Sequence, residues 1–226
     1  MEKRCIGGAI FLRHGQSEYT EVFPDLTEQG QQTIRDSSKR IKDVVDQYDY
    51  CEIVSSSSAR ALGSAVIIAD ALDCNGGITI EPAIAAAVIR DVERAKAFFD
   101  KYGQGGTEEL SLAYNCQPCF EDGSIIEPRS KVRKRFYKYL AVLVRRLSNC
   151  LPNFCVVHTS HYEVLYHFAE VVFKLNYTAD RPLAHGEPIM LSFYGSGSDE
   201  ITEIEAIFRK KTARALFNCR EETIVT

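Results

Sequence analysis

The sequence predicts an α/β fold: a single three-layer domain with a mostly parallel central sheet, helices on both faces and a loop-rich insertion over the site. Three observations carry this. Short apolar runs ("AIFL" ending at Leu12, "EIV" ending at Val54, "FCVV" ending at Val157) have the length and composition of buried strands. Longer stretches with apolar residues at helical spacing lie between them, and strands alternating with helices indicate a sheet covered on both faces. At 226 residues, with 45% hydrophobic and 26% charged, the chain is long enough for one good-sized domain and too apolar for disorder.

In order, "CIGGAIFLR" is the first strand. "PDLTEQGQQTIRDSSKRIKDVV" follows as a helix with Thr27 as N-cap and Ile34, Ile41, Val44 and Val45 as its apolar stripe. Gly30 stands where a full capping box would place Glu or Gln. "CEIVSSSS" is a second strand running into a serine-rich loop, and "ARALGSAVIIADALD" a second helix stopped by "CNGG". "ITIEPAI" is a short strand closed by Pro82. Within a domain spanning 1–226, the pattern weakens at about 83–128, which reads as an insertion or lid that covers or shapes a site.

"SKVRKRFYKYLAVLVRRL" is an amphipathic helix with Val132, Phe136, Tyr139, Leu140, Leu143 and Leu147 on one side and the run "KVRKR" on its solvated face. "FCVVHTSH" is a third clear strand, followed by the helix "YEVLYHFAEVVFKL". "EPIMLSFYG" and "ITEIEAIFRK" form two strands around "GSGSDE".

A formal net charge of -4 provides no field that favours nucleic acid. "MEKRCIGGAIFL" imitates the basic and apolar parts of a signal peptide, but "RHGQSE" follows instead of a cleavage site, and no stretch reaches the length of a membrane span. A cytoplasmic protein with no membrane association is expected. Eight cysteines include one CxxC, Cys116 to Cys119, without the second pair that a four-ligand structural zinc site requires. Cys5, Cys51 and Cys155 sit in apolar runs, as reduced buried thiols do.

Three strand ends carry the groups that could do chemistry. Arg13 and His14 follow the first strand, Arg60 lies just beyond the second, and His161 ends the third. In open α/β sheets ligands bind beyond the carboxyl ends of the strands. Two arginines and two histidines with no carboxylate among them suit a tetrahedral dianion such as a phosphoryl group. His158, at odd spacing from His161, falls on the opposite face of the strand. His167 in a helix and His185 in a loop read as structural or solvent-facing.

At these residues the sequence resembles the histidine phosphatase superfamily, which includes the cofactor-dependent phosphoglycerate mutases. "FLRHGQSE" is similar to its Arg-His-Gly signature, "DLTEQGQQTI" to its Leu-Thr-x-x-Gly segment, and "VSSSSARALGSA" to its Ser-Ser-Pro-x-x-Arg-Ala segment with Ser57 in the proline's place. "VVHTSHYEVL" resembles the strand with the second histidine, and "IIEPRSKVRKRF" is a looser match. The resemblance implies that His14 is a nucleophile forming a phosphohistidine that water hydrolyses, with Arg13, Arg60 and His161 holding the phosphoryl oxygens. It implies no cofactor and no metal.

Two departures stand out. The family's general acid, a glutamate, falls on alanine in "EPAIAAAVIRDVERAK"; Asp91 is the candidate in its place, with Glu93 and Glu163 behind it. Tyr162 follows the second histidine where glycine is common, an aromatic that narrows the pocket or stacks on a substrate. The segment characteristic of the mutases is missing. The expectation is a phosphatase acting on a phosphomonoester, either a small phosphometabolite or a phosphoprotein. The alternatives are a mutase-type phosphotransferase and a phosphate-binding module without catalysis.

Overall fold

The computed structural model describes residues 4–19, 24–102, 113, 122–149, 153–176, 180–195 and 200–225. The chain runs β1 (Cys5–Arg13), β2 (Ser17–Tyr19), β3 (Pro24–Leu26), α1 (Glu28–Val45), β4 (Tyr50–Ser55), α2 (Ala59–Ala71) and β5 (Ile78–Ile80). A 3-10 turn at Pro82–Ile84 leads to α3 (Val92–Tyr102), α4 (Arg129–Asn149), β6 (Phe154–Ser160) and α5 (Tyr162–Phe173). The last four strands are β7 (Pro188–Tyr194), β8 (Ile201–Phe208), β9 (Lys211–Asn218) and β10 (Thr223–Val225). Eight strands form one sheet in the order β10-β9-β8-β7-β1-β6-β4-β5, while β2 and β3 pair separately.

The sheet is mixed. Strands β1, β6, β4 and β5 run parallel, and β7 to β10 add antiparallel neighbours beyond β1. Period-two alternation divides the parallel strands between two apolar layers. Ile10, Leu12, Ile53 and Val157 face α1 and α2, packing with Ile34, Ile41 and Ile68. Phe11, Val54 and Val156 face the other way, onto Phe136 of α4 and Phe168 of α5. The two-sided burial expected from the sequence is what forms.

α1 begins as expected, with the Thr27 side chain accepting the Gly30 N–H at 2.9 Å. Gly30 occupies the capping-box position for a steric reason. A Cβ there would lie 2.0 Å from the Gln16 carbonyl oxygen, and one on Gly15 would lie 2.6 Å from the Gly30 carbonyl. The segment leaving β1 therefore lies backbone to backbone on the start of α1, an approach only glycine permits.

Several features differ from the sequence reading, the β2–β3 pair among them. Strands β9 and β10 were not expected: β9 buries only Ala215 and Phe217, too short an apolar signal to register among Lys211, Thr212 and Arg214. Part of the expected loop-rich stretch is helical, because Ala95 and Phe98 give α3 a buried face. The run "KVRKR" is not wholly solvated, since Arg135 is half-buried and donates to the carbonyls of Ala83 at 2.5 Å, Ala85 at 2.6 Å and Ala86 at 3.1 Å. Cys116 and Cys119 lie outside the described residues. Among the described residues no helix is long and apolar enough to cross a membrane, and no group of three or more His, Cys, Asp or Glu could hold a metal ion.

Candidate active site

Strands β1, β6 and β4 are parallel neighbours, so their carboxyl ends open on one edge of the sheet. The His14 N–H donates to the Ser160 carbonyl at 3.0 Å and the Ser56 N–H to the Thr159 carbonyl at 3.0 Å, stitching the three exits side by side. That adjacency brings together residues far apart in the chain.

His14 is buried, and its Nδ1–H donates to the Gly15 carbonyl at 2.7 Å. This fixes the tautomer and leaves the lone pair on Nε2. Arg60, near the start of α2, donates to that Nε2 through its Nε–H at 3.0 Å. Its Nη2 stands 3.5 Å from His161 Nδ1. Arginine can only donate, so His161 Nδ1 is an acceptor and its Nε2–H donates to Ser56 Oγ at 2.7 Å. His161 is the N-cap of α5 without capping it, because its ring is turned to these partners. Arg13 Nη1 donates to the Leu183 carbonyl at 2.7 Å, and its guanidinium lies 5.5 Å from the Tyr162 ring centre. Of the residues singled out from sequence, Arg13, His14, Arg60 and His161 converge.

The electrostatics follow from burial among cations. His14 is held well below its ordinary value by burial, then by His161 and Arg60. His161 is lowered to about 4, chiefly by burial, with Arg60 and Arg13 acting in the same direction. Both rings are neutral at pH 7, and the positive charge of the site belongs to the arginines.

Asp91 does not join this group. Its carboxylate accepts the Arg94 N–H at 3.0 Å at the start of α3 and lies 3.9 Å from the Arg94 guanidinium. Glu93 is exposed in the first turn of the same helix. Glu163 lies in the first turn of α5, two residues beyond His161, and its Oε1 accepts the Ala87 N–H at 3.0 Å. Burial alone would raise its pKa, but His161, its own N–H and that of Ala87 together hold it below the usual value. It is a carboxylate kept ionised beside the site, a counter-charge to Arg60. Tyr162 stacks on protein, with Tyr166 at 4.9 Å and the Arg13 guanidinium on it.

The remaining histidines separate cleanly. His158 lies on the face opposite the site, stacked on Phe11 at 4.1 Å, donating from Nδ1 to the Ile10 carbonyl at 3.2 Å and accepting from Tyr139 at 2.7 Å. Burial lowers it to about 3. A histidine depressed below its unfolded value of about 6.5 adds stability that is complete above pH 6.5 and is lost as pH falls towards 3. We expect urea unfolding between pH 6 and 4 to show a loss of about 1.4 kcal/mol per pH unit from His158, with a correspondingly flatter slope in His158→Gln. An unchanged slope in the variant would assign the pH dependence elsewhere.

His167 bonds Arg133 and Glu170 on the outside of α5. His185 departs from the sequence reading: its ring centre lies 5.6 Å from that of His14, inside the site. Ser56, Ser58 and Arg135 were likewise not assigned roles from sequence. The serine run carried a signal, since hydroxyls at a strand's carboxyl end face the ligand crevice; the loop histidine carried none.

No protein-family model and no curated protein matches the sequence. Solved structures do match. A structure described as mycobacterial hydrolase 1 aligns at a TM-score of 0.62 and 19% identity, covering 91% of this chain and 99% of that one. The mycobacterial glucosyl-3-phosphoglycerate phosphatase in complex with VO3 aligns at 0.59 and 18% identity, covering 92% and 96%. A phosphoglycerate mutase from Bacillus anthracis aligns at 0.61 and 11% identity, covering 85% and 96%. With its parallel β4-β6-β1 edge carrying Arg13, His14, Arg60 and His161, this chain shares the α/β fold of these phosphatase and mutase structures.

Proposed function

We propose that the protein is a phosphatase that hydrolyses phosphomonoesters through a phosphohistidine on His14. The observation that carries this is the single lone pair of His14 Nε2, aimed into a cluster of arginines and held there on a neutral ring. A nucleophile must be unprotonated to attack, and a fixed tautomer removes the ambiguity of which nitrogen does so.

The phosphoryl group enters between Arg60, Arg13 and His161. Arg60 exchanges its bond to His14 Nε2 for phosphoryl oxygens, uncovering the lone pair as the substrate arrives. His14 Nε2 attacks phosphorus while the guanidinium donors take up charge on the equatorial oxygens. Ser56 fixes the His161 ring. Water then attacks the phosphohistidine and frees inorganic phosphate.

The test is acid-sensitive, base-stable labelling of the protein by a ³²P-labelled phosphomonoester, chased by unlabelled substrate. Label on wild type and none on His14→Ala is expected. Turnover without label would show direct attack by water. A rate that depends on a bisphosphate primer would place the protein with the mutases instead.

A further inference from the structure

None of the groups placed so far among the described residues offers a proton to the departing alcohol. Asp91 is engaged by Arg94, Glu93 is exposed at the start of α3, and Glu163 is held ionised by two backbone N–H groups, which favour its charged form. Among the described residues, His185 is a further imidazole beside the nucleophile.

Its position is built. The loop carrying it hangs from Arg13 at two points: the Arg13 guanidinium holds the Leu183 carbonyl at 2.7 Å, and the Gly186 N–H donates to the Arg13 carbonyl at 2.8 Å. On the other side, Ser37 of α1 donates to the Gly186 carbonyl at 2.6 Å. Gly186 has φ +66°, and a Cβ there would lie 2.7 Å from Ser37 Oγ, so the loop needs glycine at this point. His185 stands between the two anchors, half-buried, its ring tilted 53° to that of His14. Neither ring nitrogen is hydrogen-bonded among the described residues. A loop held this firmly around an unengaged imidazole leaves the ring available to a ligand.

We propose that His185 is the proton donor to the leaving oxygen, a role that rests on the phosphatase reading above. The groups facing it are Arg13, Arg60 and His14, while Glu187 of its own loop is turned away onto Arg209 and the Ala184 N–H. In the empty site burial, and then Arg13 and Arg60, hold it neutral. A bound phosphoryl group offsets those two charges, and the ester's own second proton, with a pKa of about 6, passes to the ring.

As His14 Nε2 bonds to phosphorus, the ester P–O bond breaks with its electron pair on oxygen, and His185 gives that oxygen its proton. A neutral alcohol leaves. In the second half a water oxygen bonds to phosphorus and yields a proton to His185, and the P–N electron pair returns to His14. His185 returns its proton to the departing phosphate.

The experiment compares β-glycerophosphate, phenyl phosphate and p-nitrophenyl phosphate in wild type, His185→Gln and His14→Ala, with thermal melts confirming that the variants are folded. An alkoxide needs the proton, whereas nitrophenolate leaves without one. The expected result for His185→Gln is a fall in kcat of about 100-fold or more on β-glycerophosphate and only a few-fold on p-nitrophenyl phosphate, phenyl phosphate lying between. An equal fall on all three, or none on any, overturns this role; His185→Asn, smaller but also polar, checks either outcome against misfolding. Activity that survives His14→Ala overturns the phosphohistidine reading itself and is distinguishable from both.

Discussion

His14→Asn is expected to lower turnover of p-nitrophenyl phosphate by about 10⁴-fold or more while leaving the protein folded. The imidazole supplies the one nitrogen that can form a bond to phosphorus, and asparagine has no equivalent lone pair. Little of the fold depends on the ring. Its hydrogen bonds run to the neighbouring Gly15 carbonyl and to Arg60, and the β1–β6 stitch at this point is made by the His14 main chain. A neutral imidazole buried among cations is a functional arrangement, of the kind whose removal often leaves stability unchanged or improved. The thermal midpoint and phosphate affinity of the variant check the fold and the pocket separately. Substantial residual turnover would mean that water attacks phosphorus directly.

Arg60→Lys is expected to lower kcat by about 10²- to 10³-fold despite keeping the charge. Arg60 directs Nε to His14 Nε2 at 3.0 Å and Nη2 towards His161 Nδ1 at 3.5 Å, a span of the site that a planar fork covers and a single ammonium does not. The loss is expected mainly in kcat, because the fork is aimed at charge that develops on the equatorial oxygens during transfer. A lysine variant as active as wild type would reduce Arg60 to a point charge. A change confined to KM would make it a binding group for the ground state.

Several of these residues were legible before any fold was known. An apolar run that stops on Arg13 and His14, and another that stops on His161, mark strand ends where charge meets the rim of a sheet. Side-chain alternation separates His158 from His161, and the structure has His158 on the far face against Phe11 and Tyr139. The helical stripes of α1 and α4 are visible because burial on one face imposes its period on the sequence. β9 and α3 were not legible, since each buries only two residues and the rest of its pattern belongs to solvent.

The acid shows why local sequence is a poor guide to a long-range site. Asp91 lies in the matching stretch by chain position, yet its carboxylate is used by α3 and Arg94. Arg135 belongs to a run that reads as a solvated helix face, and it holds the carbonyls of the loop from Ala83 to Ala86.

By itself, the sequence determined the fold class, the strands and helices with strong periodicity, and the four cationic or imidazole groups at strand ends. Those are properties of local patterning, where burial writes a period of two or of 3.6 residues into neighbouring positions. The tertiary structure alone decided which nitrogen of His14 is available, that Glu163 is a counter-charge, and that His185 faces the nucleophile. These depend on contacts between segments distant in the chain: Leu183 and Gly186 on Arg13, Arg60 on His14, Ala87 on Glu163. No periodicity records such contacts, because each is a single meeting of two loops or helix ends at the edge of the sheet.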